Sequence, residues 1–273
     1  MAYKPRSEME EVGSVSHWLR SIIPPAPGGP MVEEHYKERA RLTSSYVFPG
    51  FDEGHIGFIK LKCPTGLFNL LSRHWTSTRH RLTLESDSCW GENRAIHNIY
   101  KTIPPVLTSA DKEDYELGDL KSVTTTMLQP LMEEWCGTKL EVPGIGHGPR
   151  TYLKGAVLHS HCDRIDSHAL GAIISIDQDL ARPWPLTITD LKGEDHNISL
   201  VPGEMLLYES TRCMHGRLTP LVGRYVTNYF IHYKPLHGWD FSQGMANDIP
   251  YVDTPVYQIK QQPKQVTQDP NVR

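Results

Sequence analysis

Between residues 150 and 235 the chain is a train of short apolar runs, each closed by a turn signal. This texture limits its possible folds more than any other feature. The runs fall at 152–161, 170–176, 185–190, 196–201, 204–209 and 225–233. They read as strands rather than helices, because each is short and flanked by Gly, Pro or Asp. Lys192, Gly193, Glu194 and Asp195 read as a hairpin turn, and Pro202-Gly203 as another turn. Strands recurring every 8–12 residues or so predict a sandwich or barrel. The run at 170–176 is almost continuously apolar, which predicts burial on both faces.

Upstream the texture differs. Residues 1–30 read as an arm with one short helix, whose apolar face is Trp18, Leu19, Ile22 and Ile23. Pro24, Pro25, Pro27, Gly28, Gly29 and Pro30 then make an extended connector. Signals over 31–117 are mixed. Thr65 is placed to cap a helix carrying Leu67, Leu70, Leu71 and Trp75 at helical spacing. A second helix is expected over 119–136, with Leu120, Val123, Met127, Leu131 and Trp135 as its buried stripe. Gly137 would end it, and Pro130 would kink or split it. The expected layout is an arm (1–30), one catalytic domain (31–253) and a Gln- and Pro-rich tail (254–273). Within the domain, 31–149 is helical support and 150–235 the strand-rich core, an α+β or mainly β chain.

Composition removes several functions. Hydrophobic residues are 38% and charged residues 22% of the 273, enough for a packed core. A net charge of -4 offers no basic footprint for nucleic acid. No apolar run nears the roughly 20 residues of a membrane span. The opening residues are acidic where a secretory signal would be basic and then apolar, so a reducing, cytoplasmic setting is expected. Five scattered cysteines without a C-x-x-C pair argue against a disulfide framework or a thiolate zinc site. Cys162 and Cys213 read as small buried apolar residues.

Within the core, His161 and Asp163 are spaced to share one face of a strand, since strand side chains alternate with period two. His215, on a later strand, can complete a triangle around a metal. Two imidazoles and one carboxylate leave three open positions on octahedral Fe(II), the arrangement oxygen chemistry needs. Arg224 begins the run Arg224, Val226, Asn228, Phe230, which would share one face, with Tyr225, Thr227 and Tyr229 on the other. A buried arginine needs an anion, and a small dicarboxylate held by its guanidinium would supply one. His159-Ser160-His161 is a competing H-x-H pair of the kind a cupin-like, non-oxygenase metal module would use.

Tyr152-x-x-Gly155-x-x-Leu158-x-x-His161-x-Asp163-Arg164, with Pro202-Gly203-Glu204-Met205-x-x-Tyr208, His215-Gly216-Arg217 and Gly223-Arg224, resembles the Fe(II)/2-oxoglutarate-dependent dioxygenases, most closely the prolyl 4-hydroxylase-like branch. The resemblance spans about residues 150–235. It implies a double-stranded β-helix (jelly-roll) core with supporting N-terminal helices. It implies His161, Asp163 and His215 as catalytic iron ligands, and Arg224 with Tyr152 and Thr187 as 2-oxoglutarate-binding residues. The implied cofactors are Fe(II), 2-oxoglutarate and O2, with ascorbate as an auxiliary reductant. The implied reaction oxidises an unactivated C–H bond by hydroxylation, desaturation or cyclisation, releasing succinate and CO2. The substrate is expected to be a small molecule, a prolyl-type amino acid or a short peptide, with peptidyl-prolyl hydroxylation of a protein as the alternative. Arg164, Asn228 and Phe230, with Arg217 and Tyr208, are candidates to line the mouth, with ordinary packing or surface roles as the alternative; Trp90, Asn93 and Arg94 read as a plain surface loop, with a lid as the alternative.

Overall fold

The computed structural model describes residues 29–84, 96–99, 106–109 and 120–241. The helix expected around Trp18, the lid residues Trp90, Asn93 and Arg94, and the tail at 254–273 lie outside these residues.

Three helices are described: α1 (Gly29–Thr43), α2 (Thr65–Thr78) and α3 (Leu120–Cys136). The first four strands are β1 (Phe58–Lys62), β2 (Leu82–Leu84), β3 (Ile96–Asn98) and β4 (Val106–Ser109). Then follow β5 (Ile145–Leu153), β6 (Ala156–His161), β7 (Leu170–Leu180), β8 (Leu186–Thr189) and β9 (Asp195–Ile198). The last are β10 (Glu204–Tyr208), β11 (His215–Arg217) and β12 (Gly223–Tyr233). The larger sheet has the order β1-β10-β7-β12-β5-β4-β2, the smaller β3-β6-β11-β8-β9. Every strand pairing among the described residues is antiparallel, for instance β12 with both β5 and β7. From β5 to β12 the chain crosses repeatedly between β10-β7-β12-β5 and β6-β11-β8-β9. That path is a double-stranded β-helix, the expected jelly roll.

Alternation along β12 separates two cores. Tyr229, Ile231 and Tyr233 join Leu67, Leu71, Leu128 and Met132 on the helix-covered face of the larger sheet. Val226 and Phe230 join Tyr152, Leu158, Ile173, Ile188 and Leu206 between the sheets. Residues 170–176 of β7 are buried at every position, because both faces are covered.

Several expected elements shift. Residues 152–161 are two strands, not one. Tyr152 and Leu153 end β5 in the larger sheet, Gly155 turns with φ +84°, and β6 enters the smaller sheet. Pro64 holds the cap position of α2 and Thr65 is its first helical residue, with no side-chain capping bond. α3 runs unbroken through Pro130, and Gly137 ends it at φ +70°. Its buried residues are Leu120, Thr124, Thr125, Leu128, Met132 and Cys136. Val123 and Met127, expected inside, are exposed. The threonines can be buried because each hydroxyl bonds a carbonyl of the preceding turn, and Thr124 also meets the Tyr229 hydroxyl at 3.1 Å. α1 starts at Gly29, so the proline-rich connector gives way to helix with Pro30 in its first turn. The 31–149 region also supplies strands β1 to β4, all of which extend the jelly roll's two arrays. Among the described residues no helix is long and apolar enough to cross a membrane.

Candidate metal centre

His161 ends β6 and His215 begins β11, and the two are cross-strand partners. Paired residues share a face. His215 also pairs with Ile188, which faces the inter-sheet core, so both imidazoles point between the sheets. Between these partners and the next pair, Arg217 with Leu158, β6 spends three residues against two on β11. The extra residue is a β-bulge. It carries His161 onto the inner face and leaves His159 out of the cluster, which disfavours the H-x-H pair. The backbones approach so closely here that a Cβ on Gly216 would lie 2.8 Å from Leu158 O and Ser160 N. Asp163 follows directly, fixed by its N–H to Ser210 O at 2.9 Å and by Arg39 Nη1 on its carbonyl at 3.0 Å.

Ligand atoms of His161, Asp163 and His215 all lie within 4.8 Å of one another. His161 Nδ1 is 2.8 Å from His159 O, and His215 Nδ1 is 2.9 Å from Cys213 O. A ring nitrogen bonded to a carbonyl carries the hydrogen, so each Nε2 presents a lone pair. Those atoms stand 3.8 and 3.9 Å from Asp163 Oδ1. Burial, then the neighbouring His161, lowers the His215 pKa to about 4, which keeps it neutral. Burial alone would raise the Asp163 pKa, but His232, His215 and His161 outweigh it and hold the carboxyl well below its usual range. Its second oxygen meets His232 Nε2 at 3.2 Å and the Tyr208 hydroxyl at 3.3 Å. One carboxylate oxygen is thus free for an ion while the other is held from behind. The donor set suits a divalent metal with open positions on one side.

Two expected co-substrate residues lie elsewhere. Arg224 has a largely exposed side chain, 79% by relative area, and pairs with Asp179 on β7. The cause is a slip in register: Gly223 pairs with Leu180 and Tyr225 with Asp179, so two steps on β12 match one on β7. Arg224 drops out of the alternation and its charge goes to solvent. Thr187 pairs with Gly216 on the outer face of the smaller sheet and bonds Asn197 Oδ1 at 2.8 Å. Leu186 and Ile188 take the inner positions instead.

Tyr152 is inside as expected, 1% exposed, its ring edge-on to Trp184 with centroids 5.2 Å apart. Asn228 and Phe230 are also buried on the inner face, and Arg150 sits over the Phe230 ring. Arg164 is half exposed and paired with Asp166 at 2.8 Å. Arg217 is a buried cation on the inner face. It is 4% exposed, stacks 4.5 Å over Trp184 and donates to the Trp184 carbonyl. Asn228, with its amide oxygen turned toward the guanidinium, accepts from Arg217 Nη2 at 3.2 Å. Burial lowers its pKa to about 10, so it stays charged at neutral pH. Among the described residues no carboxylate pairs with it.

The sequence also gave up less than it held. His232 stands two residues beyond Phe230 on the same alternation, so one further step along β12 would have reached it. His147 and His168, which gather beside His232, carried no periodic signal.

No family model matches the sequence, and neither does any curated protein. Several solved structures align with part of this chain. A prolyl-4-hydroxylase from Pseudomonas putida covers 73% of this chain and 98% of its own, at 14% identity and TM-score 0.47. A prolyl hydroxylase from Trichoplax adhaerens, in complex with a hypoxia inducible factor peptide fragment, covers 71% and 90% at 11% identity and TM-score 0.45. HygX from Streptomyces hygroscopicus, with nickel, 2-oxoglutarate and hygromycin B bound, covers 74% and 88% at 12% identity and TM-score 0.42. At these identities the function has to be argued from the residues of this chain.

Proposed function

We propose that this chain is an Fe(II)- and 2-oxoglutarate-dependent oxygenase that oxidises a C–H bond of a small molecule or prolyl-type substrate. The observation that carries it is the convergence of His161 Nε2, His215 Nε2 and Asp163 Oδ1. Both imidazoles are fixed by main-chain carbonyls, inside a double-stranded β-helix. His161, Asp163 and His215 would hold the iron, which when bound supplies the activation of O2. Imidazole–carboxylate ligation with three open positions fits iron better than a closed tetrahedral zinc site.

We place the co-substrate's distal carboxylate at Arg217 rather than Arg224. Arg217 is a buried charge whose neighbours are a carbonyl, an amide and two aromatic rings, so it lacks the anion that such a group requires. It shares the inner face of β11 with His215, and Asn228 and Tyr152 flank it. The guanidinium would bind a carboxylate in bidentate fashion, fixing the dicarboxylate before oxidation and excluding water around it. Tyr208 and His232 would hold Asp163 in position.

The test is anaerobic addition of Fe(II) and 2-oxoglutarate to the metal-free chain. A weak visible charge-transfer band is expected, lost in His215→Ala and kept in His159→Ala. Succinate formation with candidate amino acids and peptides would follow by mass spectrometry. A chain that binds metal but shows neither band nor succinate would be a cupin-like module instead.

A further inference from the structure

Behind Asp163 three more histidines meet. His147 comes from β5, His168 from the turn before β7, and His232 from β12. One ligand atom from each lies within 4.8 Å of the other two. Ring centroids are 4.1 Å apart for His168 and His232, 5.5 Å for His147 and His232, and 5.7 Å for His147 and His168. The backbone is bent to bring them there. Asn228 pairs with Arg150 but Phe230 with His147, so β5 bulges by one residue. Gly148, at φ +110°, sits in that bulge.

The free nitrogens can be assigned. His232 uses Nε2 toward Asp163 Oδ2 at 3.2 Å, while its Nδ1 is buried and has no hydrogen-bond partner. A buried imidazole nitrogen without a partner is costly and asks for a ligand. His168 uses Nδ1 toward the Ser167 hydroxyl at 2.8 Å, which leaves Nε2. His168 and His232 are at most 9% exposed. Burial favours the neutral ring, the form that ligates metal.

We propose that His147, His168 and His232 form a second metal site, for a borderline divalent cation such as Zn(II), with water as the fourth ligand. Three imidazoles plus one open position match tetrahedral zinc better than Fe(II). Tetrahedral ligation needs nitrogens about 3.3 Å apart, given 2.0–2.1 Å bonds, so from separations within 4.8 Å the rings would close by at most about 1.5 Å. The two sites are joined by one hydrogen bond. An ion on His232 Nδ1 places the ring hydrogen on Nε2, from which it is donated to Asp163 Oδ2. Asp163 Oδ1 then faces the first site. The second site rests only on these three histidines and stands whether or not the first one binds 2-oxoglutarate.

Co(II) titration of the metal-free full chain tests it, because tetrahedral Co(II) absorbs far more strongly in the visible than octahedral Co(II). The wild type should bind two equivalents, one giving intense bands and one weak. His147→Asn/His168→Gln should bind one equivalent and lose the intense bands. His161→Ala/His215→Ala should keep them. Circular dichroism confirms that each variant is folded, and His168→Gln alone, with at least a tenfold weaker intense-band site, covers the case where the double variant is not. The proposal is overturned if the wild type shows no intense bands, or if those bands survive His168→Gln unchanged. Loss of the bands only in His161→Ala/His215→Ala also overturns it. Equal stoichiometry in that variant and the wild type would instead sink the iron assignment.

Discussion

Replacing Arg217 by methionine should cripple 2-oxoglutarate binding while leaving the fold intact. The side chain is 4% exposed, so any carboxylate it binds is held away from water. Truncating one partner of a buried, hydrogen-bonded charge pair costs roughly 2–5 kcal/mol. At 1.4 kcal/mol per factor of ten, that is a rise of about 30- to 3000-fold in the KM for 2-oxoglutarate. Arg224→Met removes only a solvent-screened pair with Asp179 and should leave the KM for 2-oxoglutarate close to that of the wild type. Stability should move the other way. Without co-substrate the Arg217 charge is buried and uncompensated, so methionine of similar length should leave Tm unchanged or raised. In the wild type, 2-oxoglutarate at 100 times Kd should stabilise by about 2.7 kcal/mol. In Arg217→Met that stabilisation should fall to about 0.9 kcal/mol or less at the same concentration. The assays are succinate formation against 2-oxoglutarate concentration and thermal unfolding with and without it. A KM within threefold of wild type for Arg217→Met, or a larger effect from Arg224→Met, would refute the assignment.

Other positions give independent checks. Glu209, 1% exposed, binds Arg212 at 2.5 Å and His55 at 2.9 Å in the segment between β10 and β11. Glu209→Ala leaves the Arg212 guanidinium buried without its carboxylate and should cost about 3–5 kcal/mol in denaturant unfolding; a cost below 1 kcal/mol would show the pair is not needed. Gly216→Ala forces a Cβ to within 2.8–2.9 Å of the β6 backbone. It should separate His161 from His215 and weaken metal binding at least tenfold by titration, and unchanged affinity would count against the bulge as the positioning device. The Lys60 bond, then Lys62 and the Val201 N–H, lowers the Glu204 pKa to about 2. A depressed folded pKa contributes stability above the unfolded value and loses it as pH falls, here between about 4.5 and about 2. With exposed lysines the contribution should be about 1 kcal/mol, seen as Glu204→Gln converging with wild type in Tm as pH drops through that range. Parallel curves would contradict it.

The strand pattern and the convergence of His161, Asp163 and His215 were legible because each depends on a local period. β7, β10 and β12 lie within a few residues of their runs, and the hairpin between β8 and β9 turns at Gly193 with φ +87°. The errors come from places where the period breaks. A run at 152–161 looks continuous, yet a two-residue turn at Lys154-Gly155 moves the chain to the other sheet. The α3 stripe was set one position off, since apolar Val123 outscores Thr124 in a simple hydrophobic pattern and carries the stripe to Met127. What tips the balance is hydroxyls bonded within their own helix, which a hydropathy count cannot see. Arg224 was placed inside by alternation, and alternation fails where Gly223 and Tyr225 slip against β7.

Slips of register therefore decide the chemistry of this sandwich as much as residue identity does. The β6 bulge brings His161 to His215, the β5 bulge accompanies the arrival of His147 beside His232, and the β12 slip sends Arg224 to Asp179. With Arg224 outside, two cations face the inner space: half-buried Arg150, which sits over the Phe230 ring, and the more deeply buried Arg217, on the next inward position after His215. Asp163 cannot serve as its counter-charge, because both carboxylate oxygens face imidazoles and the Tyr208 hydroxyl. A guanidinium kept in such a place without a carboxylate costs stability, and a bound anion is the physical remedy. That is why the charge inside the sandwich, rather than the one at its rim, is the place to look for the co-substrate.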